Sequence, residues 1–280
     1  AADLAYADAT DLTLTYDAAS SEFQLIDNAN NDNVISSGTA DDGIVAISGN
    51  ASDINLTLDF ASFYEFGMPL DIQLEDKDGS NDSLFVQADS DFTVNALNLA
   101  VTDFNFNLSG FESLNLSGGD SDNTFNLVDW NGSLTVDGGL GDDTLTESGL
   151  AGDTVAWELN GTNAGTVGDV IFSGFENLAG GSGDDHFIFS SDGSISGLID
   201  GVGGSDTLDY SHYNSEVVVD LGAGAATNGS RFAGIERIIC GTHEYLNSDT
   251  MGPVALIMAL ERFQTADRTC YRYTCHTISL

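Results

Sequence analysis

The feature that most limits what this chain can fold into is a turn that comes back at a fixed step. The stretch SGFESLNLSGGDSDNTFNL, from Ser109, is answered by SGFENLAGGSGDDHFIF from Ser173 and more weakly by FAGIERIICG from Phe232. The marker glutamates Glu112, Glu176 and Glu236 are 64 and 60 residues apart, and inside that unit Gly118 to Gly138 is a step of 20 and Gly180 to Gly201 a step of 21. Between the turns lie short runs rich in β-branched and aromatic residues, such as INLTLDF, DFNFNL, TVAWEL and HFIF, with the alternation of a half-buried strand. A step that holds two short strands and two glycine-rich turns suits a parallel β-solenoid, where each coil lies ~4.8 Å from the last and turns stack on turns. An immunoglobulin-like sandwich also places strands every ten residues or so, but it does not return the same turn chemistry. The spacing predicts an all-β, right-handed parallel β-solenoid of about 20 residues per coil, three coils to a unit.

The strand rhythm begins at the N-terminus with poorer turns, so residues 1–75 read as irregular β coils, 76–248 as the solenoid proper and 249–280 as a cap. Pro253 suits the first turn of a helix capped by Ser248, Asp249 or Thr250, and VALIMALERF continues it with helix formers. Such a helical cap would hide the apolar face of the last coil. The three cysteines are Cys240, Cys270 and Cys275. Cys240 can pair with Cys270 or Cys275, the latter two can pair with each other, and either way one thiol is left over.

Two turns carry more specific chemistry, GGLGDDTLT (138–146) and GGSGDDHFI (180–188). Glycines allow φ > 0 and bring carbonyls together, an aspartate offers a hard oxygen, and the apolar residue after it points to the core. GVGGSDTLD (201–209) keeps the pattern loosely, and GGDSDNTFN (118–126) has Asn123 in place of the aspartate. These nonapeptides resemble the G-G-x-G-x-D-x-U-x repeats of hemolysin-type, or RTX, calcium-binding proteins, and the chain is similar to β-solenoid segments of large bacterial surface adhesins. The resemblance covers roughly residues 74–212 and is looser in DGSNDSLFV near Asp78. It implies Ca2+ between stacked turns, with candidate ligands Asp120, Asp122, Gly139, Gly141, Asp143, Gly181, Gly183, Asp185, Gly204 and Asp206. Asp143 would share an ion with the turn carrying Asp122, and Asp185 with the turn carrying Asp206. In the family the nonapeptides run in tandem. Here one match occurs per coil, so at most one edge is well furnished. Without an ion, carboxylates stacked ~5 Å apart repel by about 3 kcal/mol per pair at an effective dielectric of ~20. The alternative is that these are solvated Asx-type turns.

Charge narrows the partners. The chain has 45 acidic and 6 basic residues, a formal charge of −39, and no Lys or Arg between Lys77 and Arg231. Nucleic acid and anionic lipid are excluded, because binding either requires basic side chains that displace counterions. Inorganic cations are the natural partners. The longest apolar run, Pro253 to Leu260, falls well short of the ~20 residues of a membrane-spanning helix. The opening AADLAYAD has no signal-peptide pattern, but scarce lysine and eight N-x-S/T sites suit a mature secreted chain.

Catalysis is not expected. Parallel β-helix lyases and hydrolases commonly set an Arg or Lys beside the scissile sugar, and His186, His212, His243 and His276 are dispersed. Alternation points Phe125, Phe187 and Phe189 inward and leaves Trp130 in a turn. The sequence therefore reads as a non-enzymatic extracellular structural or adhesive segment of a bacterial surface or matrix protein, stiffened by calcium. Its partner is a second copy, bound head-to-tail through the end that gathers Arg231, Arg237, Arg262, Arg268 and Arg272, or a cell-surface or matrix glycan. The alternatives are a secreted calcium-dependent carbohydrate-active β-helix enzyme and a carbohydrate-binding module.

Overall fold

The computed structural model describes residues 1–239 apart from 7, 8, 31, 49–52, 65, 67–69, 76–80, 97, 103, 109, 110, 131, 149–153, 215–217, 221, 222 and 227–229, and beyond these the strands 245–246, 259–265, 268–274 and 278–279. The fold is all-β. Among the described residues the helical segments are one turn at Phe60–Phe63 and a 3-10 turn at Asn28–Asn30. The chain divides into two compact units, Ala1–Gly141 and Asp142–Leu280.

In the N-terminal unit the chain feeds two mostly parallel sheets. One takes its strands in the order Ser133–Asp137, Ser113–Ser117, Ser83–Gln87, Asn55–Leu58, Asp11–Asp17, Glu22–Asp27 and Asn33–Gly38. The other runs Ala2–Ala5, Ile44–Ser48, Leu70–Glu75, Phe104–Asn107, Asn98–Val101, Phe92–Val94 and Thr124–Leu127. Outside the antiparallel meanders successive strands change sheet, so like residues fall into register across layers. Leu12, Leu56, Leu84, Leu114 and Leu134 form one inward ladder, and Leu14, Leu58, Val86, Leu116 and Val136 another. All ten are buried, each contributing ~1.5–3 kcal/mol relative to exposure. Phe92 stacks on Phe125 at 4.4 Å.

The C-terminal unit repeats the plan. Thr144–Glu147, Asn177–Ala179, Leu198–Asp200 and Arg231–Ala233 pair in parallel in one sheet, and Val155–Gly161, Asp185–Phe189, Thr207–Asp209 and Arg237–Ile239 in the other. Trp157 stacks on Phe187 at 5.4 Å and Phe189 on Tyr210 at 4.5 Å. Phe125, Phe187 and Phe189 are wholly buried, and Trp130 is half-buried.

Three expectations need correction. The layers do not step by a constant twenty residues. Ser113 pairs with Ser133, but the bond from the Asp82 N–H to Glu112 spans 30 residues and that from the Asp143 N–H to Glu176 spans 33. The pairing is also not parallel throughout. The longer passes hold antiparallel meanders, as in Phe92–Val94, Asn98–Val101 and Phe104–Asn107, and in Val155–Gly161, Ala164–Val167 and Val170–Ser173. Left-handed residues sit at their reversals, Thr102 (φ 46°), Asn163 (φ 52°) and Gly168 (φ 54°). Finally, a C-terminal helix is not what the described residues form. Ala259–Thr265 is a strand paired antiparallel with Arg268–Thr274, where alternating Phe, Tyr, Cys and Thr favour a pleated ribbon over a helix. Pro253, Cys240, Cys275, His243, His276 and Lys77 lie outside the described residues, so the cysteine pairing does too.

Val202 shows how the turns constrain residue choice. It occupies the second position of GVGG, where the matching turns have glycine, and it adopts φ 67° with 61% exposure. A β-branched residue in the left-handed region costs about 1–2 kcal/mol, partly offset by the greater unfolded-state freedom of glycine. Val202→Gly is expected to raise unfolding stability by about 0.5–1 kcal/mol, read from urea midpoints at unchanged slope.

Candidate functional site

Three of the aspartates expected as cation ligands, Asp143, Asp185 and Asp206, sit at strand entrances, and so does Asp82, which was not among them. Asp82, Asp143 and Asp206 each stand just ahead of a strand, and Asp185 opens one. All four are at most 1% exposed. Their burial follows from the pairing. The N–H at a strand's entrance, usually that of the residue just ahead of it, points along the stack beyond the ladder, and an unpaired buried N–H costs about 1–3 kcal/mol. A side chain from the next layer supplies the acceptor. The Ile54 N–H donates to Asp82 Oδ1 at 2.8 Å, and the Asp82 N–H to Glu112 Oε2 at 2.8 Å. The Asp143 N–H donates to Glu176 Oε2 at 2.9 Å. The Asp185 N–H donates to Asp206 Oδ1 at 2.7 Å, and the Asp206 N–H to Glu236 Oε2 at 2.8 Å. The return bonds are backbone, Glu112 N–H to Asp82 O at 3.0 Å and Glu236 N–H to Asp206 O at 3.1 Å. The marker glutamates are thus the far halves of two-point clamps between layers.

The glycines serve these side chains. A Cβ on Gly180 would lie 2.2 Å from Asp185 Oδ2, one on Gly201 2.3 Å from Asp206 Oδ2, and one on Gly118 2.6 Å from Asn123 Oδ1. In these three nonapeptides the first glycine is the space into which the later acid or amide folds back. Asp185 Oδ2 accepts the Gly181 N–H at 3.0 Å, and Asn123 Oδ1 accepts the Gly119 N–H at 3.0 Å. Asparagine therefore does at 123 what aspartate does at 185. Asp185 Oδ1 also accepts Trp157 Nε1–H at 3.3 Å.

Of the residues singled out in sequence, the structure brings together Gly181, Gly183, Asp185, Gly204 and Asp206. The turns 180–184 and 201–205 lie on one another, the Gly203 N–H donating to Gly181 O at 3.2 Å and the Ser205 N–H to Asp184 Oδ1 at 2.8 Å. Gly204, at φ 125°, approaches Gly183 so closely that a Cβ would overlap its carbonyl. In the N-terminal unit Gly139 and Gly141 have φ 99° and 126° and lie over Gly119 and Ser121. Asp120 and Asp122 are exposed there, while Asp143, in the other unit, is buried. Asp82, Glu112, Glu176 and Glu236 were not read as site residues. The signal was present: each acceptor stands two residues before the first buried apolar residue of its strand, as in Asp82-Ser83-Leu84, Glu112-Ser113-Leu114 and Asp206-Thr207-Leu208.

The electrostatics are one-sided. Burial pushes the Asp206 carboxyl up to about 6, helped by Asp185, Glu236 and Asp184 and opposed by the Asp185 N–H. Burial also raises Asp185, against the bonds from Trp157 and Gly181, with Glu147 and Asp184 adding to the rise. Asp206 Oδ2 is buried with no hydrogen-bond partner among the described residues. Calcium takes roughly six to eight oxygens. Among the described residues no three carboxylate, His or Cys side chains converge as a metal cage. Asp185 and the first oxygen of Asp206 are committed to N–H groups, so these side chains alone do not fit a calcium cage. His186 Nε2 contacts Asp209 Oδ2 at 3.0 Å, while Ser211 Oγ contacts His212 Nδ1 at 3.1 Å. The chain matches no protein-family model, no curated protein and no solved structure.

Two outcomes follow from the acceptor role. Asp185→Asn keeps an acceptor and should cost under about 1 kcal/mol, whereas Asp185→Ala strands the Gly181 and Trp157 donors and should cost about 2–4 kcal/mol in chemical unfolding. For Asp206 the folded carboxyl titrates above its unfolded value of 3.8, so its contribution is fully present below pH ~4 and is lost as pH rises through about 6. The melting temperature of Asp206→Asn relative to wild type should therefore climb between pH ~4 and ~6.5 and then level off. A flat difference across that window would refute the buried-carboxylate assignment.

Proposed function

We propose that the chain is a non-enzymatic structural segment, a right-handed parallel β-solenoid that serves an extracellular bacterial surface or matrix protein as a stiff, adhesive element. The observation that carries this reading is where the acids at the strand entrances point. Asp82, Glu112, Glu176, Asp206 and Glu236 accept N–H groups of neighbouring layers, so they work as fasteners between layers rather than as a reactive group. Regular inward ladders of Leu and Val add uniform cohesion. Scarce lysine, abundant Asn, Ser and Thr, and the RTX-like nonapeptides support an extracellular setting. The proposed partners are a second copy, drawn by the cluster from Arg231 to Arg272, or a surface glycan. Calcium is proposed as the counter-ion of the turns, held by carbonyls and water with the exposed Asp184 rather than by a carboxylate cage.

A calorimetric melt in millimolar calcium, repeated with a chelator, tests the ion. Calcium should raise the melting temperature by several degrees, because stabilisation grows as RT ln(1 + [L]/Kd). Asp184→Asn should shrink that increment and leave the chelated melt in place. Equal melts would remove calcium from the proposal. A polysaccharide panel incubated with the protein should release no reducing ends and no unsaturated sugars, and turnover abolished by one carboxylate substitution would overturn the structural reading.

A further inference from the structure

We propose that a groove on the N-terminal unit, walled by Tyr64 and Phe85, binds a neutral glycan. This groove deepens the adhesive reading and rests on it for its biological setting, and one anomaly in the sheet marks it out. Strand Ser83–Gln87 turns Leu84 and Val86 inward and Ser83, Phe85 and Gln87 outward. In register across the layers, the outward row containing Phe85 reads Thr13, Thr57, Phe85, Asn115, Thr135. Among these five parallel-paired residues Phe85 is the one apolar member, and it is 41% exposed; beyond Thr13 the row passes into the antiparallel meander at Ile26 and Val34. A core role does not explain it, because the inward ladder is already complete.

A second exposed aromatic lies on the same cavity. Tyr64 follows the turn Phe60–Phe63, is 56% exposed, and is held edge-on by Phe104 at 5.8 Å. Tyr64 and Phe85 both line an open cavity of about 600 Å³ whose floor includes the buried Leu58, Phe60 and Ala88, within the ~300–1,000 Å³ of small-ligand sites. Its polar lining divides into committed and available groups. Asp59 already accepts Thr15 Oγ1–H, and Asp89 accepts the Ser121 N–H and hydroxyl, which hold its carboxyl below the usual range. Gln87 and Asp120 make no side-chain hydrogen bond among the described residues.

That set of groups selects a chemistry. Two exposed rings offer flat, electron-rich faces to the C–H face of a pyranose. The Gln87 amide can both donate and accept, and the Asp120 carboxylate accepts from hydroxyls. The groove is lined by Asp59, Asp89 and Asp120 and by no basic residue, so sulfated or uronate polymers are repelled. A neutral hexopyranose chain satisfies both the rings and the acceptors.

Affinity electrophoresis tests this with native protein in gels containing a neutral β-glucan, α-glucan, mannan, xylan or galactan, beside gels with polygalacturonate and chitosan. At least one neutral polymer should retard wild type, and Phe85→Thr, which restores the row's own residue type, and Tyr64→Ser should each weaken retardation at least tenfold with unchanged melting curves. Retardation that survives the double variant would overturn the groove while leaving an adhesive role elsewhere on the chain. Retardation confined to the anionic or cationic polymer would overturn the neutral-sugar assignment. No retardation in any gel would overturn the groove and the glycan partner together, while the calcium and turnover experiments would still stand as tests of the structural reading.

Discussion

The hydrogen bond from the N–H at a strand's entrance to a carboxylate of the next layer is the constraint on which the rest of the structure depends. A parallel ladder satisfies the interior of each strand, but its entrance leaves a donor pointing along the stack where the chain turns away from water. Aspartate and glutamate solve this from the adjacent layer, and their reach sets the turn. Asp206 must fold back over Gly201, so that position admits no Cβ, and the turn beneath must come close enough that Gly204 meets the Gly183 carbonyl. One unsatisfied donor per layer therefore dictates an acid, a glycine and a tight interlayer approach at fixed offsets. The nonapeptide pattern is the sequence trace of that requirement, and it holds whether or not an ion lies nearby.

This bond takes over work that ion pairs do elsewhere. Between Lys77 and Arg231 the chain has no basic side chain other than histidine, and the charged contacts among the described residues are the N-terminus with Asp42 and, when the imidazole is protonated, His186 with Asp209. Cohesion falls to apolar ladders and to charge-assisted bonds from neutral donors, which are about twice as strong as neutral ones. The cost is desolvation without a counter-charge, which is why Asp185 and Asp206 titrate upward. Asn123 shows the other solution, an acceptor that carries no charge.

Much of the architecture was legible because alternation is a strong signal: SLNLS and SLTVD declare which residues face inward, and Phe125, Phe187 and Phe189 lie where that rule puts them. Hairpins were not separable from crossovers, because Asn-Gly and Gly-Asp punctuation ends a strand in either case. Asn160-Gly161 begins an antiparallel return, whereas Asp137-Gly138 leads to the other sheet. That ambiguity hid the long passes. The burial of the acids was hidden for a different reason. A carboxylate beside glycines suggests outward ligation when only the turn is considered, and its burial emerges once the donor in the neighbouring layer is counted. Glutamates at 112, 176 and 236 stood out as repeats, but their partners lie 30 to 33 residues away, a separation that no local motif reports.

The same logic explains why so acidic a chain can be regular. Buried Asp82, Asp185 and Asp206 are tied to donors that only the native register supplies, and a register slip by one residue would expose the Leu ladders and strand the carboxylates without donors. The charge that weakens the native state when ionised therefore weakens slipped states more. Residues off this lattice of entrances and ladders escape the constraint, and on the outward rows the sequence relaxes to Thr, Asn and Ser. An aromatic there, as at Phe85, answers to no requirement of the stack. The outward face is thus where a chain built this way can acquire a ligand without disturbing the bonds that hold its layers together.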